Sequence, residues 1–249
     1  ISKLFGFLKS EILIVDISTA ELIKLLNNSF HALKVAFANE IGRLSKALKI
    51  DSHKLMDIFI KDTQLNISSA YLKPGFSFGG SCLPKDLKAL KSFAIKNSLE
   101  LPIINSIDNS NTIHTEFVLN KIISFNKSRI GLYGLSFKKG TDDLRFSPSL
   151  NVAEKLINRG LTINIYDKYV NTSKLIGKNK DHLFNHFPHI NNVLTNTVHE
   201  IISGNEIVVL TQIVDSKDID IIKKSNCIIL DLAKNKELEN SSNYEGICW

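Results

Sequence analysis

Four short apolar runs, RIGLYGL (129 to 135), LTINIYD (161 to 167), EIVVLTQ (206 to 212) and CIILDLA (227 to 233), constrain the fold of this chain most, and all fall in its second half. Each is a few residues of Ile, Leu, Val and Tyr with little polar alternation, the pattern of a strand covered on both faces. Helical stretches separate them. The stretch 148 to 159, stopped by Gly160, is the clearest. Buried strands alternating with helices predict an α/β domain built on a doubly wound parallel sheet over residues 127 to 249.

Before residue 127 the period changes. From Thr19, a candidate N-cap, apolar residues recur at 22, 23, 26, 30, 33, 37, 41, 44 and 48, which predicts one long amphipathic helix after a short strand-like lead-in over 1 to 19. A second helix is expected near 52 to 61, with Asp51 or Ser52 as its cap, followed by an Asn-, Ser-, Pro- and Gly-rich loop over 63 to 85. Pro84 opens a helix running to about Asn97, and 102 to 126 reads as another. Residues 1 to 126 are thus an all-helical domain, with the boundary near 126 to 129.

Composition narrows the function classes. With 43% apolar and 22% charged residues the chain is neither disordered nor a membrane bundle, and its 249 residues suffice for two ordinary domains. The net charge of +6 is carried almost entirely by lysine, with arginine only at 43, 129, 145 and 159, and no basic run is interleaved with aromatics. Nucleic-acid partners are therefore not expected, since base readout leans on guanidinium forks. Cysteines 82, 227 and 248 are odd in number and far apart, which excludes a disulfide framework and a CxxC metal site, and predicts a reducing, cytoplasmic setting. The longest apolar runs fall well short of the ~20 residues that cross a bilayer, and no signal peptide is evident. The chain starts at Ile1 and has one methionine, Met56, which points to a fragment or processed product.

The segment FGGSCLPKD (78 to 86) carries the most chemistry. Its two glycines allow close backbone approach, and Pro84 starts a helix just after Cys82, where free amide groups favour an anion. With Lys85 alongside, Cys82 has the surroundings of a nucleophile. It reads equally as a small residue buried at a helix cap. On the long helix Lys24, Asn28, His31, Val35 and Asn39 share one face. One lysine with two carboxamides suits an oxyanion or sugar hydroxyls, but on these residues alone an ordinary solvated face with a snorkelling lysine is the better reading. In the second half, the loop FKKGTDDLRFSPS (137 to 149) offers Lys138 and Arg145 to phosphates. GxGxxG is missing there, and Asp167, placed like a ribose-binding acid, is expected to cap the following turn. Histidines 53, 114, 182, 186, 189 and 199 show no HExxH spacing and read as surface or loop residues.

Taken together, AELIKLLNNSFHALKVAFANEIG (20 to 42), YLKPGFSFGGSCLPKD (71 to 86), GLSFKKGTDDLRFSPS (134 to 149) and the terminal YEGICW (244 to 249) resemble the UDP-glucose/GDP-mannose dehydrogenase family along essentially the whole chain. The resemblance implies a helical dimerisation domain followed by a Rossmann-like nucleotide-sugar domain, with the family's N-terminal NAD-binding Rossmann domain absent from these residues. It implies oxidation of the C6 hydroxyl of a nucleotide sugar to a carboxylate with two NAD in succession, GDP-mannose being favoured over a UDP-sugar. A non-catalytic nucleotide-sugar-binding dimerisation module is the competing reading. Residue by residue, it makes Cys82 the nucleophile, Lys24 and Asn28 the oxyanion and water-positioning groups, and Asp86 an assisting carboxylate. It puts Asn39, Asn66, Tyr71, Lys73, Phe76, Gly79 and Lys138 against the sugar nucleotide, and Lys85 and Arg145 on the NAD side. Two positions depart from the family pattern: Lys73 stands where arginine is usual, and Phe146 where an acidic residue is common. The long helix is expected to form the seam of a homodimer, although its apolar stripe would also suit packing within its own chain.

Overall fold

The long helix α1 (Ile17–Ala47) organises the first half. It starts earlier than Thr19: the Asp16 carboxylate accepts the Thr19 amide at 2.9 Å and the Thr19 hydroxyl at 2.5 Å, so Asp16 caps the helix and Thr19 lies in its first turn. The structure, a computed structural model, describes residues 13–47, 49–63, 71–96, 102–171, 177, 180, 183–184, 187–188 and 190–249. Most of the expected strand-like lead-in therefore lies outside the described residues, and 13–16 have no regular structure. Helix α2 (Ser52–Phe59) is capped by Asp51, which accepts the His53 and Lys54 amides. Helices α3 (Cys82–Lys96) and α4 (Pro102–Ser124) complete the half. Ala32, Leu33 and Val35 of α1 pack with Phe78, Leu87 and Ile107, while Ala38 and Ile41 pack with Met56 and Leu72. Small alanines at the contact let the helices approach closely.

The second half folds as the apolar runs predict, into strands β1 (Arg129–Tyr133), β2 (Thr162–Tyr166), β3 (Ile207–Leu210) and β4 (Ile228–Asp231). A fifth, β5 (Tyr244–Gly246), has no apolar run to announce it. The sheet is parallel throughout, in the order β2-β1-β3-β4-β5. Helices α5 (Pro148–Asn158), α6 (Val198–Ser203) and α7 (Ser216–Lys223) cover it. On one face Ile130, Leu132, Ile165 and Leu230 pack with Leu156 of α5 and with Val118, Leu119 and Ile122 of α4. The last helix of the first half is thus one wall of the sheet's core. On the other face Val208, Leu210 and Ile229 meet Ile201 and Ile222. Ser147 caps α5 by accepting the Leu150 amide at 3.3 Å, and Pro148 fills its first turn as expected.

The terminal YEGICW ties the sheet back to the helices. The Lys46 ammonium donates to the Gly246 and Trp249 carbonyls and pairs with Glu245, whose other partner is Lys121 at 2.7 Å. The Ser52 hydroxyl donates to the Cys248 carbonyl at 2.5 Å, and the His53 and Trp249 rings meet nearly at right angles with centres 4.5 Å apart. Gly42 is required here, because a Cβ on it would sit 2.8 Å from the Cβ atoms of Cys248 and Pro74.

Candidate active site

Strand β1 lies between β2 and β3, so the strand order reverses there and the loop after β1 opens at the crevice where doubly wound sheets bind ligands. That loop is held from below. One oxygen of the buried Asp167 accepts the Leu135 and Ser136 amides at 2.8 and 2.9 Å, while the other accepts the Tyr169 amide and so caps the turn as expected. Gln212 adds a bond to the Ser136 carbonyl at 3.0 Å. The exposed Lys138 ammonium makes no hydrogen bond or ion pair among the described residues.

The loop from 71 to 81 is clamped by buried polar side chains. Asn39, 1% exposed, accepts the Gly75 amide at 2.9 Å and donates to the Phe76 carbonyl at 3.3 Å, so its carboxamide is spent on the loop's backbone. Asn111 of α4 exchanges two 2.9 Å bonds with the backbone of Phe78, and His114 Nε2 lies 2.7 Å from the Gly75 carbonyl. His114 and His53 are therefore buried residues rather than surface ones. Histidines 182, 186 and 189 lie outside the described residues, and His199 is exposed. The signal that could have found Asn111 and His114 is their place in the apolar stripe of Ile107, Val118 and Ile122, where a polar side chain must find a partner. Gly79 lies against the second half, where a Cβ would meet the Phe146 carbonyl at 2.3 Å and Pro148 at 2.6 Å.

This clamp presents Cys82, the first residue of α3, as an exposed free thiol. One turn on, Asp86 is 1% exposed and gathers three of the residues singled out from sequence. It accepts from the Asn28 carboxamide, pairs with Lys24 at 3.2 Å and meets Lys85 at 3.4 Å. Burial pushes the Asp86 carboxyl up, but bonds from Asn28 and Lys24 and the charges of Lys24 and Lys85 outweigh it, holding the group below the usual carboxylate range. Arg145 approaches from the other half: its guanidinium holds Asp143 at 2.7 and 2.9 Å and reaches the Ser81 hydroxyl at 3.5 Å. Phe146 beside it has a left-handed backbone, φ 53°, and Lys88 lies over its ring.

Tyr71, Lys73 and Phe76 line a neighbouring cleft of about 550 Å³ between α2, the 71–78 loop and the residues after β4. Tyr71 stacks on His31 with ring centres 5.2 Å apart, and Lys73 is 4.0 Å from Asp57. Asn66 lies outside the described residues. A cleft of about 620 Å³ sits at the opposite ends of β3 and β4, lined by Lys127, Glu206 and Lys224, and contains none of these residues. Among the described residues no group of three or more His, Cys, Asp or Glu side chains could hold a metal, and no helix is long and apolar enough to cross a membrane.

A thiol at a helix start, a charged cluster one turn away and a cleft at the mouth of a doubly wound sheet define the class of this protein as a doubly wound α/β chain with an exposed thiol beside charged groups. Residues 18–113 match the model of the UDP-glucose/GDP-mannose dehydrogenase family central domain, and residues 131–233 that of its UDP binding domain. The chain belongs to the UDP-glucose/GDP-mannose dehydrogenase family. It is 37% identical over 251 residues to a GDP-mannose 6-dehydrogenase of Pseudomonas aeruginosa, covering 100% of this chain and 57% of that protein. The chain thus spans little more than half the length of that curated relative. A ternary complex of GDP-mannose dehydrogenase from the same organism superposes with a TM-score of 0.66 at 36% identity, covering 100% of this chain and 57% of the other. A UDP-glucose dehydrogenase from Pyrobaculum islandicum shares the fold with a TM-score of 0.83 at 24% identity, covering 100% and 55%.

The described residues do not form a dinucleotide cradle. The Ser147 hydroxyl donates to the Leu135 carbonyl at 2.6 Å and caps α5, whose start is packed against Gly79, so that helix N-terminus is closed to a pyrophosphate. Arg145 and Lys85 are engaged by Asp143 and Asp86.

Proposed function

We propose that this chain is the central and C-terminal part of a GDP-mannose 6-dehydrogenase, working with an NAD site held outside the described residues. The observation that carries the reading is the convergence of Lys24, Asn28 and Lys85 on Asp86, one helical turn from the exposed Cys82. The proposed sequence oxidises the C6 carbon twice, and an NAD held outside the described residues would supply the hydride acceptor. Between the two oxidations the Cys82 thiol loses its proton to solvent and its sulfur adds to the C6 aldehyde, forming a C–S bond while the carbonyl π pair moves to oxygen. That oxyanion meets the Lys24 ammonium and the Asn28 amide, donors already oriented by Asp86. Loss of hydride leaves a thioester, and water releases the carboxylate and returns the thiol. Both tetrahedral intermediates need the same donors, which is why one lysine and one carboxamide serve both.

GDP-mannose is favoured because a GDP-mannose 6-dehydrogenase is similar over the whole chain. The competing reading is a binding module without catalysis. The test measures NADH formed from GDP-mannose by this chain alone and by the chain joined behind the dinucleotide-binding part of a relative. The account expects none from the chain alone, turnover from the joined protein, and its loss in Cys82→Ser. Turnover that survives Cys82→Ser refutes the covalent route; a folded joined protein with no turnover supports the module. The chain is also proposed to pair with a second copy through α1, where Leu22, Ile23, Leu26, Phe30 and Phe37 remain 38 to 49% exposed although Ala32, Leu33 and Val35 are used within the chain.

A further inference from the structure

Only Gly79, Gly80 and Ser81 stand between Phe78 and Cys82. Glycine has the widest backbone freedom of any residue, so this turn holds Cys82 in one place only if it is gripped from outside. The second half grips three of its positions. The Phe146 carbonyl and Pro148 close on Gly79, the Phe137 ring comes within 2.7 Å of where a Gly80 Cβ would stand, and the Arg145 guanidinium reaches the Ser81 hydroxyl. Gly80 itself has a left-handed backbone, φ 80°.

The near end of the turn is gripped by a side chain that the proposed chemistry leaves unused. The Asn111 carboxamide accepts the Phe78 amide and donates to the Phe78 carbonyl, both at 2.9 Å, so it takes both backbone groups of one residue as a neighbouring strand would. The Phe78 ring is pinned at the same time, packed with Ala32, Leu87 and Ile107. Asn111 is itself held in place, because α4 runs on into the sheet core through Val118, Leu119 and Ile122. A neighbour on the same helix face acts differently. The Thr115 and Ser77 hydroxyls lie 2.8 Å apart, a bond between side chains that leaves the loop's backbone alone.

We infer that Asn111 is a positioning residue for Cys82: by fixing both backbone groups of Phe78 it sets where the two-glycine turn starts, and so where the sulfur sits at the start of α3. Its catalytic meaning rests on the nucleophile reading above. The thiolate that reacts with an electrophile is favoured by the free amides of a helix start, and a wandering turn takes the sulfur away from them. Iodoacetamide alkylation of Cys82 in the full chain, read by intact mass, follows this without any sugar. Asn111→Leu, which removes both bonds at similar volume, slows it about tenfold. Asn111→Asp separates position from bulk stability. An ionised carboxylate sets an acceptor against the Phe78 carbonyl, whereas the neutral acid has an acceptor and a donor like the carboxamide. The rate of Asn111→Asp relative to the native chain is therefore low at about pH 8 and recovers as pH falls toward about 5, while Asn111→Leu shows no recovery. Thr115→Val lowers the melting temperature and leaves the rate within about twofold. An unchanged rate in Asn111→Leu, no recovery in Asn111→Asp, or an equal slowing in Thr115→Val overturns the inference; should Asn111→Leu not fold, the other two decide. In the joined protein described above, Asn111→Leu lowers kcat about tenfold and leaves KM for GDP-mannose within about threefold, whereas a rise in KM alone contradicts a role at the thiol. If the joined protein with Asn111 intact has no turnover, the dehydrogenase reading fails, and alkylation still decides whether Asn111 holds the thiol.

Discussion

His53 shows how burial converts an ordinary side chain into a pH-dependent one. The unfolded chain takes up its proton near 6.5, whereas in the folded chain burial and the Lys234 and Lys73 charges delay uptake to about 4. Between these values the unfolded state holds more protons, so this contribution to stability is full above pH 6.5 and lost as pH falls toward 4. Urea unfolding of the chain and of His53→Gln checks it: between pH 7.5 and 4.5 the native chain loses about 2 kcal/mol more than the variant. A gap independent of pH contradicts the assignment. At this scale the sequence was legible where spacing speaks. Helical period puts Lys24 and Asn28 on one face and a proline puts Cys82 at a helix start, but the meeting of Lys24 and Asn28 on Asp86 pairs residues some sixty positions apart, which no local pattern encodes. His53 and His114 read as surface or loop residues when polarity alone is weighed, whereas the Trp249 ring and the Gly75 carbonyl, both remote in sequence, are what enclose them.

The elements repeat this contrast. Strands β1 to β4 and helix α5 are announced by apolar runs, a Pro and a Gly, whereas β5 is three residues, YEG, that exist as a strand only because β4 offers its edge. The tail that follows depends on Gly42, against which Cys248 and Pro74 both pack. Gly42→Val overfills that contact, and we expect it to destabilise the chain by about 1 to 3 kcal/mol. Trp249 should lose its place against His53 at the same time, so its fluorescence reports the change before global unfolding. A variant with unchanged melting and unchanged Trp249 emission would show the tail to be loosely held. The cap at Asp16 rather than Thr19 is the smaller lesson: both residue types cap helices, and the choice falls to the one whose oxygen reaches the free amide.

Across the whole molecule, α4 belongs to both halves, packing on α1 with one side and on the sheet with the other, while the terminal tail and Gly79 add two further seams. Cys82, the cleft and its lysines are therefore held in one frame, although composition and period describe the halves separately. If the exposed stripe of α1 is a seam between copies, sedimentation at micromolar concentration gives twice the chain mass, and Leu26→Glu with Phe30→Glu gives a monomer; a monomeric native chain contradicts the dimer. The central claim, that the exposed Cys82 faces a bound nucleotide sugar, is tested most directly by the rate at which iodoacetamide alkylates it, read by intact mass. Cys227 and Cys248 are buried, so one label is expected per native chain. Saturating GDP-mannose is predicted to slow that label at least about tenfold, as a sugar seated over the thiol excludes the reagent, while free mannose has no effect. Alkylation of Cys82 at the same rate with and without bound GDP-mannose would contradict the account.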